Sequence, residues 1–369
     1  MLKCTKNFGK SLNARYRVLP TLFFPLAQAF HFPFFSKTLL DHDFYVPTIF
    51  NGQYRNLKTE FLPLPAPSLH KPVMTTPLYR LAFLGANGFP ARAYNPILSR
   101  MSAKFAASSS SYFDIVPVDY SAHLSPENKD WKKCVDKLSA ELASLKDDNT
   151  PLLAVGHSAG GALLSCVATL HPQLMQSLII IDPPMFRPAF RLFVEVGKVL
   201  PRGVVERVHP LVAGAMRKRG KFSDRQDAEE YFRGRKLFQS FNEEFVESFL
   251  EHGIVEHGGE EGGGATLSFS KENEANMYLT TPGLDNRNFS SPYVGQYGNK
   301  DVRGTFFHSH EYQFLSKPTV GYLQGLLGEG QGGRMKFREF QNGHFWPMYD
   351  PDDFAETIAD EAVKLITKK

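Results

Sequence analysis

Cysteine is scarce in this chain: three in 369 residues, Cys4, Cys134 and Cys166, odd in number and far apart. That spacing excludes a disulfide framework and leaves no zinc-ligand pattern, and it favours a reducing compartment over secretion. Acidic residues are missing from the start of the chain. Lys3, Lys6, Lys10, Arg15, Arg17 and Lys37 precede the first acid, Asp41. A basic, acid-free leader over residues 1–44 reads either as an organelle transit peptide, mitochondrial in type, or as a plain extension. Long apolar runs are missing too. No stretch of about 20 uninterrupted apolar residues occurs, which excludes a membrane span. Pro20 and Pro25 break the apolar part of the leader, so a secretory signal fits poorly. Large net charge is also lacking: +4 over the whole chain argues against a dedicated nucleic-acid binder. The closing Ile366-Thr367-Lys368-Lys369 is neither a peroxisomal nor an ER-retention signal. The expectation is an intracellular protein, mitochondrial or cytoplasmic.

What the chain does have is apolar mass. Hydrophobic residues make up 42% of it, enough for one large domain with an insertion or for two modest ones. Phenylalanine alone contributes 32 residues, which suit a greasy cavity as well as a core. Residues 54–62 and 72–76 read as an early antiparallel pair separated by a proline-rich stretch. From residue 78 the pattern alternates. Strands are expected at 78–84, 113–118, 152–155 and 178–181. Helices are expected at 93–107 and after Ser125, where Trp131, Val135, Leu138, Leu142 and Leu145 recur at three- and four-residue spacing. Alternating strands and helices imply a mostly parallel sheet covered on both faces.

The alternation stops at Asp182-Pro183-Pro184 and resumes with a strand expected at 319–323. The intervening stretch is far longer than an ordinary connection. Phe190, Val194 and Gly197 share a helical face, Ser223-Asp224-Arg225-Gln226 reads as a capping box, and Phe241, Phe245, Phe249 and Leu250 form a wide apolar face ended by Gly253. Residues 185–316 are therefore expected to form a helical cap, with 45–184 and 317–369 as the two parts of the core. A strand at 335–340, a turn at Asn342-Gly343 and a helix from Asp350-Pro351, with Phe354, Ile358, Ala362 and Leu365 inward, complete the chain.

The chemistry is carried by Gly156-His157-Ser158-Ala159-Gly160, set between an expected strand and an expected helix. By chance alone the pentapeptide arises in roughly one chain of this length in ten, so its setting decides its meaning. Strand, Gly-x-Ser-x-Gly, helix is the arrangement of a nucleophile elbow, which presents a serine hydroxyl to an acyl carbonyl. A serine needs a base to take its proton. His344, just after the last strand, is placed for that; the side chain of His157 is expected to point into the sheet. His308 and His310 read as structural or substrate-facing. The base needs an acid. Two carboxylates compete: Glu329, in the loop after the strand expected at 319–323, which is favoured, and Asp182, at the end of the preceding strand. An oxyanion needs two N–H donors, worth on the order of 3 kcal/mol each. Ala159, at the start of the elbow helix, and Phe89, in Asn87-Gly88-Phe89-Pro90, are the candidates, with the Asn87 side chain as a further contributor.

Together, Gly85-Ala86-Asn87-Gly88-Phe89-Pro90, Gly156 to Gly161, Ile181-Asp182-Pro183-Pro184 and Gly343-His344 resemble the α/β-hydrolase superfamily over residues 78–365, and within it the subgroup with an Asn-Gly-Phe-Pro oxyanion loop. The resemblance implies an α/β fold with Ser158 as nucleophile, His344 as base, and Phe89 and Ala159 as oxyanion donors. It calls for no metal and no cofactor. Position 85 is Gly where such loops often open with His, and the acid loop carries Glu329 where Asp is usual. The expected function is hydrolysis of carboxylic esters with an apolar or lipid-like acyl group. The alternatives are an acyltransferase or thioesterase using the same acyl-enzyme, and a non-catalytic binding protein.

Overall fold

The computed structural model describes residues 79–107, 113–125, 131–146, 150–184, 201, 203–204, 209–258, 263–280, 302–311, 315–329 and 334–367. The leader, the early strands at 54–62 and 72–76, the first turn of the helix expected after Ser125 and the face formed by Phe190, Val194 and Gly197 lie outside the described residues.

Along the chain run β1 (Tyr79–Leu84), α1 (Asn95–Ala107), β2 (Phe113–Pro117), α2 (Lys132–Leu145), β3 (Leu152–His157), α3 (Ala159–Leu170) and β4 (Ser177–Ile181). An insertion follows, with α4 (Pro210–Arg217), β5 (Lys221–Phe222), α5 (Arg225–Arg233), α6 (Lys236–Gln239), α7 (Glu243–Gly253), β6 (Ile254–Glu256), β7 (Ala265–Leu267) and α8 (Lys271–Leu279). The core resumes with β8 (Arg303–Ser309), α9 (Lys317–Leu327), β9 (Met335–Phe340), α10 (Trp346–Tyr349) and α11 (Pro351–Thr367).

Among the described residues six strands form one sheet in the order β2-β1-β3-β4-β8-β9, and each of these pairings is parallel. The central strands β3 and β4 are buried along their whole length and are largely apolar because both faces are covered. In β1, Leu81 and Phe83 enter one core while Ala82 and Leu84 enter the other. Leu153 and Val155 against Leu152 and Ala154 divide β3 in the same way, as the two-residue period requires. α1 and α11 cover the first face through Ile97, Met101, Phe354 and Ile358. α2, α3 and α9 cover the second through Leu138, Leu142, Leu164 and Val320.

Two expectations need correction. Residues 319–323 are not a strand; they lie inside α9. Ser316 caps that helix by accepting the Thr319 N–H, a proline occupies its first turn, and Val320, Leu323 and Leu327 recur at helical spacing on the buried side. The strand that follows β4 in the sheet is instead β8, which falls within the 185–316 segment expected to be cap. Both cores accept its Phe306 and Phe307, one residue to each side. The segment expected to be a helical cap also carries strand: β5, β7 and β6 make a small antiparallel sheet.

Parallel strands bring the loops at their carboxyl ends to one edge, and sites in such folds lie in the crevice there. The insertion packs on that edge. α7 lies against the 3-10 turn Ala91–Tyr94 and α1. From α8, the Asn276 side chain donates to the Ser125 carbonyl at 2.9 Å, and the Trp131 indole donates to the Met277 carbonyl at 3.2 Å. Among the described residues no helix is long and apolar enough to cross a membrane.

Candidate active site

Ser158 joins β3 to α3 with φ 54° and ψ −122°. Such a conformation is strained for any residue with a side chain and persists only where the surroundings impose it. Here the Ser158 N–H donates to the Ile181 carbonyl at 2.8 Å, and the Gly160 N–H donates to the Gly85 carbonyl at 3.2 Å. The turn closes so tightly that a Cβ on Gly156 would sit 2.6 Å from the Gly161 backbone. Only glycine permits that approach.

Asp182, directly after β4, has φ 43°. Ser158 and Asp182 are the two non-glycine residues with positive φ among the described residues. Each also meets a nitrogen of the His344 ring. His344 Nδ1 lies 2.6 Å from Asp182 Oδ2, and His344 Nε2 lies 3.0 Å from Ser158 Oγ. A carboxylate only accepts, so Nδ1 carries the proton and Nε2 is left to accept from the serine hydroxyl. The second oxygen of Asp182 accepts the Ser309 N–H at 3.2 Å. All three side chains are buried: Asp182 is 0% exposed, His344 3% and Ser158 8%. This arrangement allows a histidine to take the serine proton while a fixed carboxylate stabilises the resulting imidazolium.

Glu329 is not part of the cluster. It follows α9, next to Gly328, which bridges to Met335 at the start of β9. His344 follows the other end of β9. A strand of that length separates the two edges by about 17 Å. The misreading of 319–323 as a strand put the loop carrying Glu329 at the wrong edge.

The oxyanion candidates differ in readiness. Ala159 is the first residue of α3, and its N–H makes no hydrogen bond among the described residues. The Phe89 N–H closes a turn on the Ala86 carbonyl at 3.2 Å, so it serves an oxyanion only by sharing or exchanging that long bond. The Asn87 side chain faces away from this role and donates to the Glu274 carbonyl of α8 at 3.0 Å. Gly88, at φ 83°, lies against the Glu274 carboxylate, both oxygens of which are held by Lys218 Nζ at 2.7 Å. Sequence reading missed this pair because the only hint was a lysine just past α4 and a glutamate on α8, far apart in the chain.

Three further sequence features find their places. His157 is wholly buried behind Ser158, with its ring on Tyr94 and the His344 backbone. Burial first, and the neighbouring His344 second, push its imidazole down to about 3. The absence of histidine at position 85 has a steric cause: a Cβ on Gly85 would come 2.5 Å from the Tyr94 ring. His308 belongs to β8, not to the insertion, and is buried.

Phe89 is buried in an aromatic cluster. Its ring meets Phe238, Phe241, Phe245, Phe249 and Phe345 at centroid distances from 5.7 to 6.4 Å. Four of these partners come from α6, α7 and the link between them; Phe345 adjoins His344.

A family model described as the alpha/beta hydrolase family matches residues 81–357. No curated protein sequence matches the chain significantly. Among solved structures, the peroxisomal alpha-beta-hydrolase Lpx1 of Saccharomyces cerevisiae is similar at a TM-score of 0.59 and 15% identity, over 79% of this chain and 78% of that one. An E-2-(acetamidomethylene)succinate hydrolase is similar at 0.52 and 15%, over 76% and 90%. The thioesterase domain from the curacin biosynthetic pathway is similar at 0.52 and 15%, over 78% and 91%. At this identity the three structures establish a common fold.

Proposed function

Because the chain belongs to the alpha/beta hydrolase family, we propose that it is a serine hydrolase of carboxylic esters that works through an acyl-enzyme on Ser158. The observation that carries this reading is the continuous line of contacts from Ser158 Oγ to His344 Nε2 at 3.0 Å and from His344 Nδ1 to Asp182 at 2.6 Å. Ser158 attacks the ester carbonyl as His344 takes its proton. Asp182 stabilises the imidazolium, and the oxyanion falls to the Ala159 N–H and, once released from its turn, the Phe89 N–H. His344 then protonates the departing alcohol. A water that gives its proton to His344 attacks the acyl-enzyme, and collapse of the second tetrahedral intermediate frees the acid and Ser158.

The insertion acts as a cap over this site. The rings around Phe89, including Phe241 and Phe345, favour an apolar, lipid-like acyl group. Labelling by a fluorophosphonate tests the nucleophile: the intact protein should label, and Ser158→Ala should not. Failure of the intact protein to label would leave a binding role. A panel of esters and thioesters with short to long acyl chains tests the substrate. Ester turnover rising with chain length supports the reading; preference for thioesters would move the protein to the thioesterases, and preference for short or charged acids would remove the lipid-like assignment.

A further inference from the structure

Three loops must keep register for this site: the one after β1, the elbow after β3 and the one carrying His344. A single buried chain of hydrogen bonds crosses all three. The Ala86 N–H lies 3.0 Å from the Tyr94 hydroxyl, that hydroxyl lies 3.0 Å from His157 Nδ1, and His157 Nε2 lies 2.9 Å from the His344 carbonyl.

Every proton in the chain has a forced position. A carbonyl only accepts, so His157 Nε2 must carry hydrogen. A neutral imidazole then offers Nδ1 as an acceptor, so the Tyr94 hydroxyl donates to it. The hydroxyl oxygen is left to accept from the Ala86 N–H. Tyr94 and His157 are both fully buried. Burial drives the Tyr94 phenol well above its ordinary range and holds the imidazole of His157 neutral, so no charged state competes with this pattern. The ring of Tyr94 occupies space that only a glycine at position 85 leaves open.

We propose that Tyr94 and His157 are positioning residues, forming a one-directional relay that holds the oxyanion loop and the His344 loop in register with the elbow. The relay touches no substrate. Through the His344 backbone it keeps Nε2 on Ser158 Oγ, and through Ala86 it anchors the turn that carries Phe89. The proposal rests on the reading of Ser158 as nucleophile for its catalytic consequence, but the relay itself is observable without turnover.

The test uses the full chain and the variants Tyr94→Phe, His157→Gln and His157→Leu. Imidazole nitrogen NMR should show His157 as a single Nε2–H tautomer at neutral pH in the unmodified protein, and in Tyr94→Phe the same tautomer with its Nδ1 signal shifted by loss of the phenol hydrogen bond. Tyr94→Phe should lower kcat and the fluorophosphonate labelling rate by about 10- to 100-fold with KM nearly unchanged, the scale expected when reacting groups are displaced by about 1 Å. His157→Gln keeps an N–H for the His344 carbonyl and should retain most of kcat; His157→Leu should not. The inference is overturned by an Nδ1–H tautomer in the unmodified protein, or by unchanged kcat and labelling rate in Tyr94→Phe. It is equally overturned if lost activity merely tracks lost folded protein, or if His157→Gln falls as far as His157→Leu. Should Tyr94→Phe not fold, the His157 pair decides. If the unmodified protein does not label at all, the hydrolase reading fails, and the NMR spectrum still decides the relay.

Discussion

The carboxylate of Asp182 meets the Nδ1 of His344 at 2.6 Å across 162 residues of chain. The contact exists because β4 and β9 run parallel on either side of β8, so both residues emerge at the same edge. β8 contributes as well: the Ser309 N–H holds the other carboxylate oxygen. Asp182→Asn should therefore leave the fold intact and cut kcat by about 10⁴-fold, because an amide no longer enforces the tautomer that lets Nε2 accept the serine proton. Glu329→Gln should leave kcat unchanged. Steady-state turnover of both variants on one ester checks the assignment; the reverse pattern would return the role to Glu329.

Lys218 and Glu274 are coupled beside the loop that follows β1. Lys218→Met strands a buried carboxylate against Gly88 and should lower stability by about 1–3 kcal/mol in urea unfolding. Adding Glu274→Gln should recover part of that loss. A double-mutant cycle with no coupling between the two positions would contradict the contact.

Gly88→Ala places a methyl group 2.8 Å from the Glu274 carboxylate in a backbone conformation at φ 83°. The expected cost is about 1–3 kcal/mol, with a fall in the labelling rate of Ser158 because the same turn carries Phe89. Unchanged melting temperature and labelling would show that the loop tolerates another conformation.

His157 makes stability depend on pH in a defined direction. Its folded-state value lies near about 3 against an ordinary 6.5. Below 6.5 the unfolded chain binds a proton that the folded chain refuses. Stability from this group is thus fully present above that point and falls by up to about 1.4 kcal/mol per pH unit as pH drops towards 3. Burial lowers His209 and His308 too, with the same sign. Urea unfolding between about pH 4 and pH 7 should show a steeper slope in the unmodified protein than in His157→Gln, by roughly one proton. Equal slopes would contradict a neutral, buried His157.

Much of the core was legible because its signals are local. The elbow pentapeptide, the apolar runs of β1, β3 and β4, and the inward stripe of α11 each declare themselves within a few residues. The stretch at 319–323 misled because a short run with Thr319, Val320 and Tyr322 suits a strand as readily as a helix. The capping signal at Ser316 and the recurrence at 320, 323 and 327 were the evidence for helix. β8 was hidden by its place, beyond a long insertion, although Thr305-Phe306-Phe307 has strand composition.

The sequence by itself determined the parts that chemistry writes locally: a serine on a glycine-flanked turn, a histidine after the last strand, a parallel sheet to carry them. Tertiary structure alone decided which carboxylate faces His344, how Tyr94 fills the space at Gly85, and that Glu274 lies under Gly88. Those contacts join residues far apart in the chain. They depend on strand order and on how the insertion docks, and neither is encoded in the periodicity of any single segment.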